Sequence, residues 1–192
     1  MLLKIIYLLA IISQSINGTL SAKKREMDHF GVVFIAFVSA FGGGTIRDLL
    51  LDQNPTWIRE SFTIYVVILV SVVTIMLYNF ARKFKKLFLF LDAFGLVSLT
   101  IIGCNTAERV QNNLLIICLF GVITGVFGGI LRDIFSNKIP LIFHKEHYAS
   151  ISLATSMIYV SFIYWSIPST ITILVALFVG LILRIRIVRK IL

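Results

Sequence analysis

Gly43-Gly44-x-x-Arg47-Asp48, followed by Pro55, returns as Gly128-Gly129-x-x-Arg132-Asp133, followed by Pro140, with every matched pair 85 positions apart. Gly18 meets Gly103 and Ala22 meets Ala107 at the same offset. An ungapped doubling means two copies of one unit, so whatever folds the first copy must also fold the second. Each copy lies inside a long apolar stretch, which makes this a membrane protein. A glycine run beside an intramembrane Arg-Asp pair points to a polar pathway at the bilayer centre.

A membrane span needs about 20 apolar residues. Seven stretches approach that length, near 2–20, 29–50, 62–81, 87–107, 113–135, 148–166 and 168–186. The chain is 58% hydrophobic, against about 45–50% for a soluble domain. Little chain remains outside the spans, so residues 1–192 are expected to form a single transmembrane domain with no soluble catalytic part. Copy one covers about 1–85 and copy two about 86–166, with three spans each. Three is odd, so the second copy enters the membrane the opposite way round. The expected fold is all-α, with seven transmembrane helices: two inverted three-helix repeats plus a C-terminal helix at about 168–186.

The net charge of +9 would suit nucleic acid, but the placement argues otherwise. Thirteen of the 18 basic residues follow the first, third, fifth and seventh spans, with Arg184, Arg186, Arg189 and Lys190 forming a basic tail. The opposite side holds only Lys4, Arg59 and Arg109. This is the positive-inside pattern, which puts the N-terminus outside and the C-terminus in the cytoplasm, with no nucleic-acid partner. Lys4 and the apolar run after it resemble a signal peptide. However, residues 1–22 are the counterpart of 86–107, so the first helix is expected to be retained. Cys104 and Cys118 read as small core residues.

The second span of each copy carries the chemistry. Gly42, Gly43 and Gly44 in a helix interior cost about 1 kcal/mol each relative to alanine. With Gly128 and Gly129 matching them, the expectation is an unwound or kinked segment in both spans. Non-helical backbone at that depth must be buried in protein or line water, where freed carbonyls would face a cation. Ser39, Thr45 and Thr124 share these segments and would line the path; the competing reading is local bonding to the helix backbone. Neighbours at i,i+1 point apart on a helix. The expected pairing therefore crosses the two-fold axis: Arg47 with Asp133, and Arg132 with Asp48. The structural alternative is that these charges cap short half-helices near the interface. Trp57, Tyr78, Tyr148 and Trp165 fit an aromatic belt, and Gly121-x-x-x-Gly125 reads as a helix-packing motif. His144, Glu146 and His147 have the spacing of two metal ligands but no third, and read as a solvated loop. Without a nucleophile motif, phosphate loop or cofactor fingerprint, no enzyme and no cofactor is expected.

Asp28-x-x-Gly31, Gly42-Gly43-Gly44-x-x-Arg47-Asp48-x-Leu-Leu, Asp92-x-x-Gly95-Leu and Gly128-Gly129-x-x-Arg132-Asp133, with Pro140 and Tyr148, resemble the prokaryotic trimeric intracellular cation (TRIC) channel family. Its bacterial domain is also labelled a putative glycine transporter. The resemblance covers nearly the whole chain. It implies a homotrimer in the bacterial inner membrane, with one pore per protomer between the second and fifth helices. Those helices are kinked at Gly42, Gly43, Gly44, Gly128 and Gly129, and the pore passively conducts K+. Phe127 stands where copy one has Gly42, which suggests a tighter second break. The alternatives are a secondary transporter for a small amino acid such as glycine and a membrane scaffold that transports nothing.

Overall fold

The computed structural model describes residues 1–81, 85–144 and 148–191, and all regular structure in them is helical. In chain order the helices are α1 (Leu2–Lys23), α2 (His29–Leu50), α3 (Thr56–Arg59), α4 (Phe62–Met76), α5 (Tyr78–Ala81), α6 (Lys85–Glu108), α7 (Leu114–Phe135), α8 (Leu141–His144), α9 (Tyr148–Tyr164) and α10 (Ser169–Ile191). Five are long and apolar enough to cross a membrane: α1, α2, α6, α7 and α10. The apolar helices α4 and α9 are shorter, with 15 and 17 residues. At 1.5 Å per residue they reach only about 22–26 Å. The third expected span, 62–81, is divided between α4 and α5.

The 85-residue correspondence extends from sequence into detail. Asp28 caps the start of α2 by accepting from the Gly31 N–H at 2.8 Å. Its counterpart Asn113 caps α7 by accepting from the Leu115 N–H at 3.0 Å. Both helices end in the same way. In α2, the Asp52 N–H reaches Leu49 O and the Gln53 N–H reaches Asp48 O at 2.8 Å. In α7, Asn137 reaches Ile134 O and Lys138 reaches Asp133 O at 2.8 Å. Asp52 (φ 54°) and Asn137 (φ 50°) turn the chain out through the left-handed region, which short polar side chains tolerate better than most. Pro55 and Pro140 follow, where a helix could not continue.

Polar seams close each copy. Thr19 Oγ1 donates to Ser71 Oγ at 3.0 Å between α1 and α4. Thr100 and Ser152 share a 2.7 Å hydrogen bond between α6 and α9. Such bonds hold apolar helices together where lipid offers no hydrophobic drive. Gly121 and Gly125 do the same by contact. Cβ atoms there would stand 3.1 Å from Thr100 O and 2.9 Å from Leu96 O, so α7 rests directly on α6.

The glycines at the centre do not break their helices. α2 and α7 run as α-helix through residues 42–44 and 128–129, and no glycine has a positive φ. The expected unwinding is therefore corrected. Opening the backbone would free N–H and C=O groups that need partners in a membrane. Instead the missing side chains let the two helices touch. A Cβ on Gly43 would overlap Thr124 O, and one on Gly128 would lie 2.6 Å from Ser39 O. Ser39 and Thr124 are themselves counterparts, so the contact is made twice, once from each copy. The helices cross antiparallel: Phe34 meets Phe135, with ring centroids 5.7 Å apart, while Gly42 faces Leu131 and Gly43 faces Thr124.

Gly44 differs from its neighbours. Only Arg47 Nη2, at 3.8 Å, would come near a Cβ there. Gly43→Ala and Gly128→Ala are expected to push α2 and α7 apart, costing about 1–3 kcal/mol. Gly44→Ala is expected to be neutral or to gain up to about 1 kcal/mol in helix propensity. Thermal unfolding of the purified protein in detergent should rank Gly44→Ala at or above wild type, and Gly43→Ala well below it. Equal losses at 43 and 44 would contradict this packing.

Candidate functional site

Arg47 and Asp48 occupy the last turn of α2, and Arg132 and Asp133 the last turn of α7. All four are buried, none more than 4% exposed. They do not pair across the copies. Arg47 donates to its own neighbour Asp48 Oδ1, from Nε at 2.8 Å and from Nη2 at 2.6 Å. Arg132 Nε donates to Asp133 Oδ1 at 3.0 Å. The expected pairs Arg47–Asp133 and Arg132–Asp48 are thus overturned, for a geometric reason. In an antiparallel crossing near residues 43 and 128, the two helix ends lie on opposite sides, separated by roughly 12 Å along the axis. At a helix terminus, moreover, the long arginine side chain can curl onto the next residue.

Each aspartate has a second task. Asp48 Oδ2 accepts from the Thr56 N–H at 2.7 Å and from its Oγ1 at 2.8 Å, at the start of α3. Asp133 Oδ2 accepts from the Leu141 N–H at 3.2 Å, at the start of α8. Thr56 and Leu141 are counterparts at the 85-residue offset. The carboxylates thus hold the chain that returns after each helix, buried in protein and with no broken half-helix to cap. Each motif ties three things together: a helix end, the arginine and the returning chain.

The two clusters differ in charge. In copy one Arg47 and Asp48 balance each other, beside Tyr7 and Thr56. In copy two Asp92 stands at the position of Tyr7. It accepts from Arg132 Nη1 at 3.2 Å and from Arg184 Nη2 of α10 at 3.0 Å. Among the described residues, two arginines and two aspartates make this cluster neutral as well. Arg184 is 3% exposed, so it is not part of the expected cytoplasmic tail. Its guanidinium sits 4.6 Å from the Tyr148 ring centroid. Tyr148 is 2% exposed and belongs to the core, not to the aromatic belt. Its hydroxyl stands 2.8 Å from where a Cβ on Gly129 would be, so the open space at Gly44 is filled at Gly129. In the turn beyond α7, Lys138 Nζ donates to Ser21 Oγ at 2.8 Å. Partial burial, and after it the Arg132 charge, lowers the Lys138 pKa.

The hydroxyls divide. Thr45 and Thr124 bond the carbonyls of Phe41 and Phe120, four residues back in their own helices. Thr45 Oγ1 also accepts from Trp57 Nε1 at 3.0 Å, which folds Trp57 onto α2. Ser39 Oγ instead donates to Gln14 Oε1 of α1 at 3.2 Å. Tyr7, Gly44, Thr45, Arg47, Leu99 and Thr124 line a crevice beside the crossing, with about 10 Å³ of room. That is about the space of one water molecule. Asp92, Gln14 and Arg184 are site residues that the repeat could not reveal: the first two depart from their counterparts Tyr7 and Leu99, and Arg184 lies outside the repeat. The group at His144, Glu146 and His147, with Arg82, Lys83 and Lys145, reaches outside the described residues.

A family model described as glycine transporter matches the chain twice, over residues 4–79 and 89–164. The two matches are 85 residues apart. A solved structure described as the structural basis for conductance through TRIC cation channels superposes with a TM-score of 0.92 at 33% identity, covering 98% of this chain and 94% of that one. The chain belongs to the prokaryotic TRIC family. A TRIC orthologue from Rhodobacter sphaeroides, described as a trimeric intracellular cation channel, matches with a TM-score of 0.93 at 27% identity over 98% of each chain. The inner membrane protein YadS of Escherichia coli K12 is 37% identical over 178 residues, 91% of this chain and 86% of that protein. A membrane protein of Vibrio cholerae is 33% identical over 180 residues, 91% of this chain and 74% of that protein. The TRIC-family protein in hand is accordingly an integral membrane protein.

Own-neighbour pairing makes a sharp prediction. Arg47→Gln leaves Asp48 buried without its cation and should cost about 3–5 kcal/mol. Arg47→Asp with Asp133→Arg should not recover stability. Arg184→Met should destabilise copy two, and adding Asp92→Asn should restore most of that loss. Melting temperatures of the purified variants check all three; recovery by the cross-copy swap would contradict the pairing described here.

Proposed function

We propose that this protein is a passive, K+-permeable cation channel, a homotrimer in the inner membrane with one path through each protomer. The supporting observation is the crevice at the α2–α7 crossing, which has hydroxyls and Gly44 beside it and a charge-balanced motif at its margin. In this reading α1, α2, α4, α6, α7, α9 and α10 are the seven spans. The two copies are inverted repeats, the N-terminus is outside and the C-terminus is cytoplasmic. The matching solved structures are described as cation channels, which supports the same class and gives no support to an enzyme.

With the helices continuous, most carbonyls stay in the helix ladder. K+ therefore exchanges hydration water for the hydroxyls of Ser39, Thr45 and Thr124 and for the outer lone pairs of helix carbonyls. Gly42, Gly43, Gly44, Gly128 and Gly129 serve by bringing the backbones close and, at Gly44, by leaving room. Arg47, Asp48, Arg132 and Asp133 sit beyond the crossing on either side. Because each arginine is matched by a carboxylate, the path presents no net positive barrier to a cation. Such a lining discriminates by modest differences in dehydration, so selectivity among monovalent cations is expected to be weak.

The description of the family model favours a second reading, a secondary transporter of a small amino acid such as glycine. Flux distinguishes the two. Liposomes containing the purified protein should leak K+ down a gradient without saturation, and Gly44→Leu, which fills the crevice, should reduce the leak at least about tenfold. Saturable glycine exchange with no K+ leak would instead establish the transporter.

A further inference from the structure

The residues that line the crevice beside the crossing have sequence counterparts on its other side. Moved by 85 places, Gly44, Arg47, Leu99 and Thr124 become Gly129, Arg132, Gln14 and Ser39. Two contacts join them in pairs. Arg132 Nη2 lies 3.8 Å from the position of a Cβ on Gly129, and Ser39 Oγ donates to Gln14 Oε1 at 3.2 Å. On the channel reading these sets form two half-sites, one on either side of the α2–α7 contact, the first open beside Gly44 and the second filled at Gly129 by Tyr148.

They differ where α1 and α6 contribute. One half-site has Leu99, whose side chain offers no oxygen. The other has Gln14, which is 3% exposed. A second departure accommodates it: Gly95 stands where copy one has Ala10. A Cβ on Gly95 would overlap the Gln14 amide nitrogen. A longer polar side chain on one helix and a missing methyl on its neighbour are complementary. The amide is therefore seated deliberately, in a place where its counterpart is apolar. Burying an amide without using it costs free energy. An amide oxygen carries two lone pairs, and Ser39 takes one of them.

We propose, on the channel reading above, that Gln14 of α1 is a further path-lining residue and sets the preference for cations. Its Oε1 presents the second lone pair to a dehydrating K+ as the ion passes the Ser39 hydroxyl. The path then has a polar half at Gln14 and a less polar half at Leu99. Cation preference is set on the Gln14 side, by a helix outside the glycine-rich pair.

The test is K+ flux and reversal potential in bilayers for wild type, Gln14→Met, Gln14→Glu and Ser39→Ala/Gln14→Met. Methionine keeps the unbranched shape beside Gly95 and removes the oxygen; glutamate keeps the shape and adds charge. Gln14→Met should lower K+ flux about tenfold, roughly the effect of one lost hydrogen-bond-strength interaction. Gln14→Glu should keep the flux and raise the K+ to Cl− permeability ratio. If Gln14 merely satisfies Ser39, Ser39→Ala/Gln14→Met will conduct no less than Ser39→Ala alone, measured beside it, which overturns the proposal. A conducting wild type with an unchanged Gln14→Met also overturns it and leaves the channel intact. A wild type that passes no K+ overturns the channel reading, and this proposal with it.

Discussion

Everything at the centre of this molecule depends on two backbones touching. Gly43 lies on the Thr124 carbonyl and Gly128 on the Ser39 carbonyl, so α2 and α7 meet with no side chain between them. A contact that close is strong because it is short, and dispersion falls steeply with any gap. It also fixes the register. Once residues 43 and 128 are opposed, Ser39 and Thr124 are fixed beside the contact, and the two Arg-Asp turns are carried to opposite ends. A substitution that separates the helices by a methyl group displaces all of these at once.

The ends of α2 and α7 solve a second problem. A helix that stops inside protein leaves carbonyls unpaired, and a buried arginine is costly unless matched. One device handles both. The left-handed turn at Asp52 or Asn137 satisfies the last carbonyls, while the aspartate holds the arginine with one oxygen and the returning chain with the other. The motif appears twice because the problem appears twice. Its charge is consumed locally, so a pair of ionised residues can stand buried beside the crossing without leaving a net charge there.

The repeat made much of this legible in advance. The doubling, with Pro55 and Pro140 after each Arg-Asp pair, placed the ends of α2 and α7, while the caps at Asp28 and Asn113 and the left-handed closing turns emerged only from the structure. Periodicity placed most helix limits within a few residues, although α4 proved shorter than its apolar stretch because the helix ends at Met76 before Tyr78. The partners of Arg47 and Arg132 were not legible, because pairing depends on which direction α7 runs and how far past the crossing each arginine lies. Glycine was misread for a related reason. Its cost in a helix is a local property, while the gain from close approach belongs to a second helix 85 residues away. Tyr148 and Arg184 looked like interface and tail residues, and only the packing of α9 and α10 on α6 shows them buried.

The tie between Asp92 and Arg184 has a consequence for how the halves relate. Backbone symmetry would let either copy stand in for the other, but charge does not. Copy one carries Tyr7 where copy two carries Asp92 and is neutral without outside help. Copy two carries an extra carboxylate, Asp92, which Arg184 of the last helix holds together with Arg132. A hybrid made of two first copies would leave α10 with no buried anion to hold it. One made of two second copies would hold two surplus carboxylates and a single arginine to share between them. The duplicated halves have become non-interchangeable parts, and α10, which lies outside the repeat, is what makes them so.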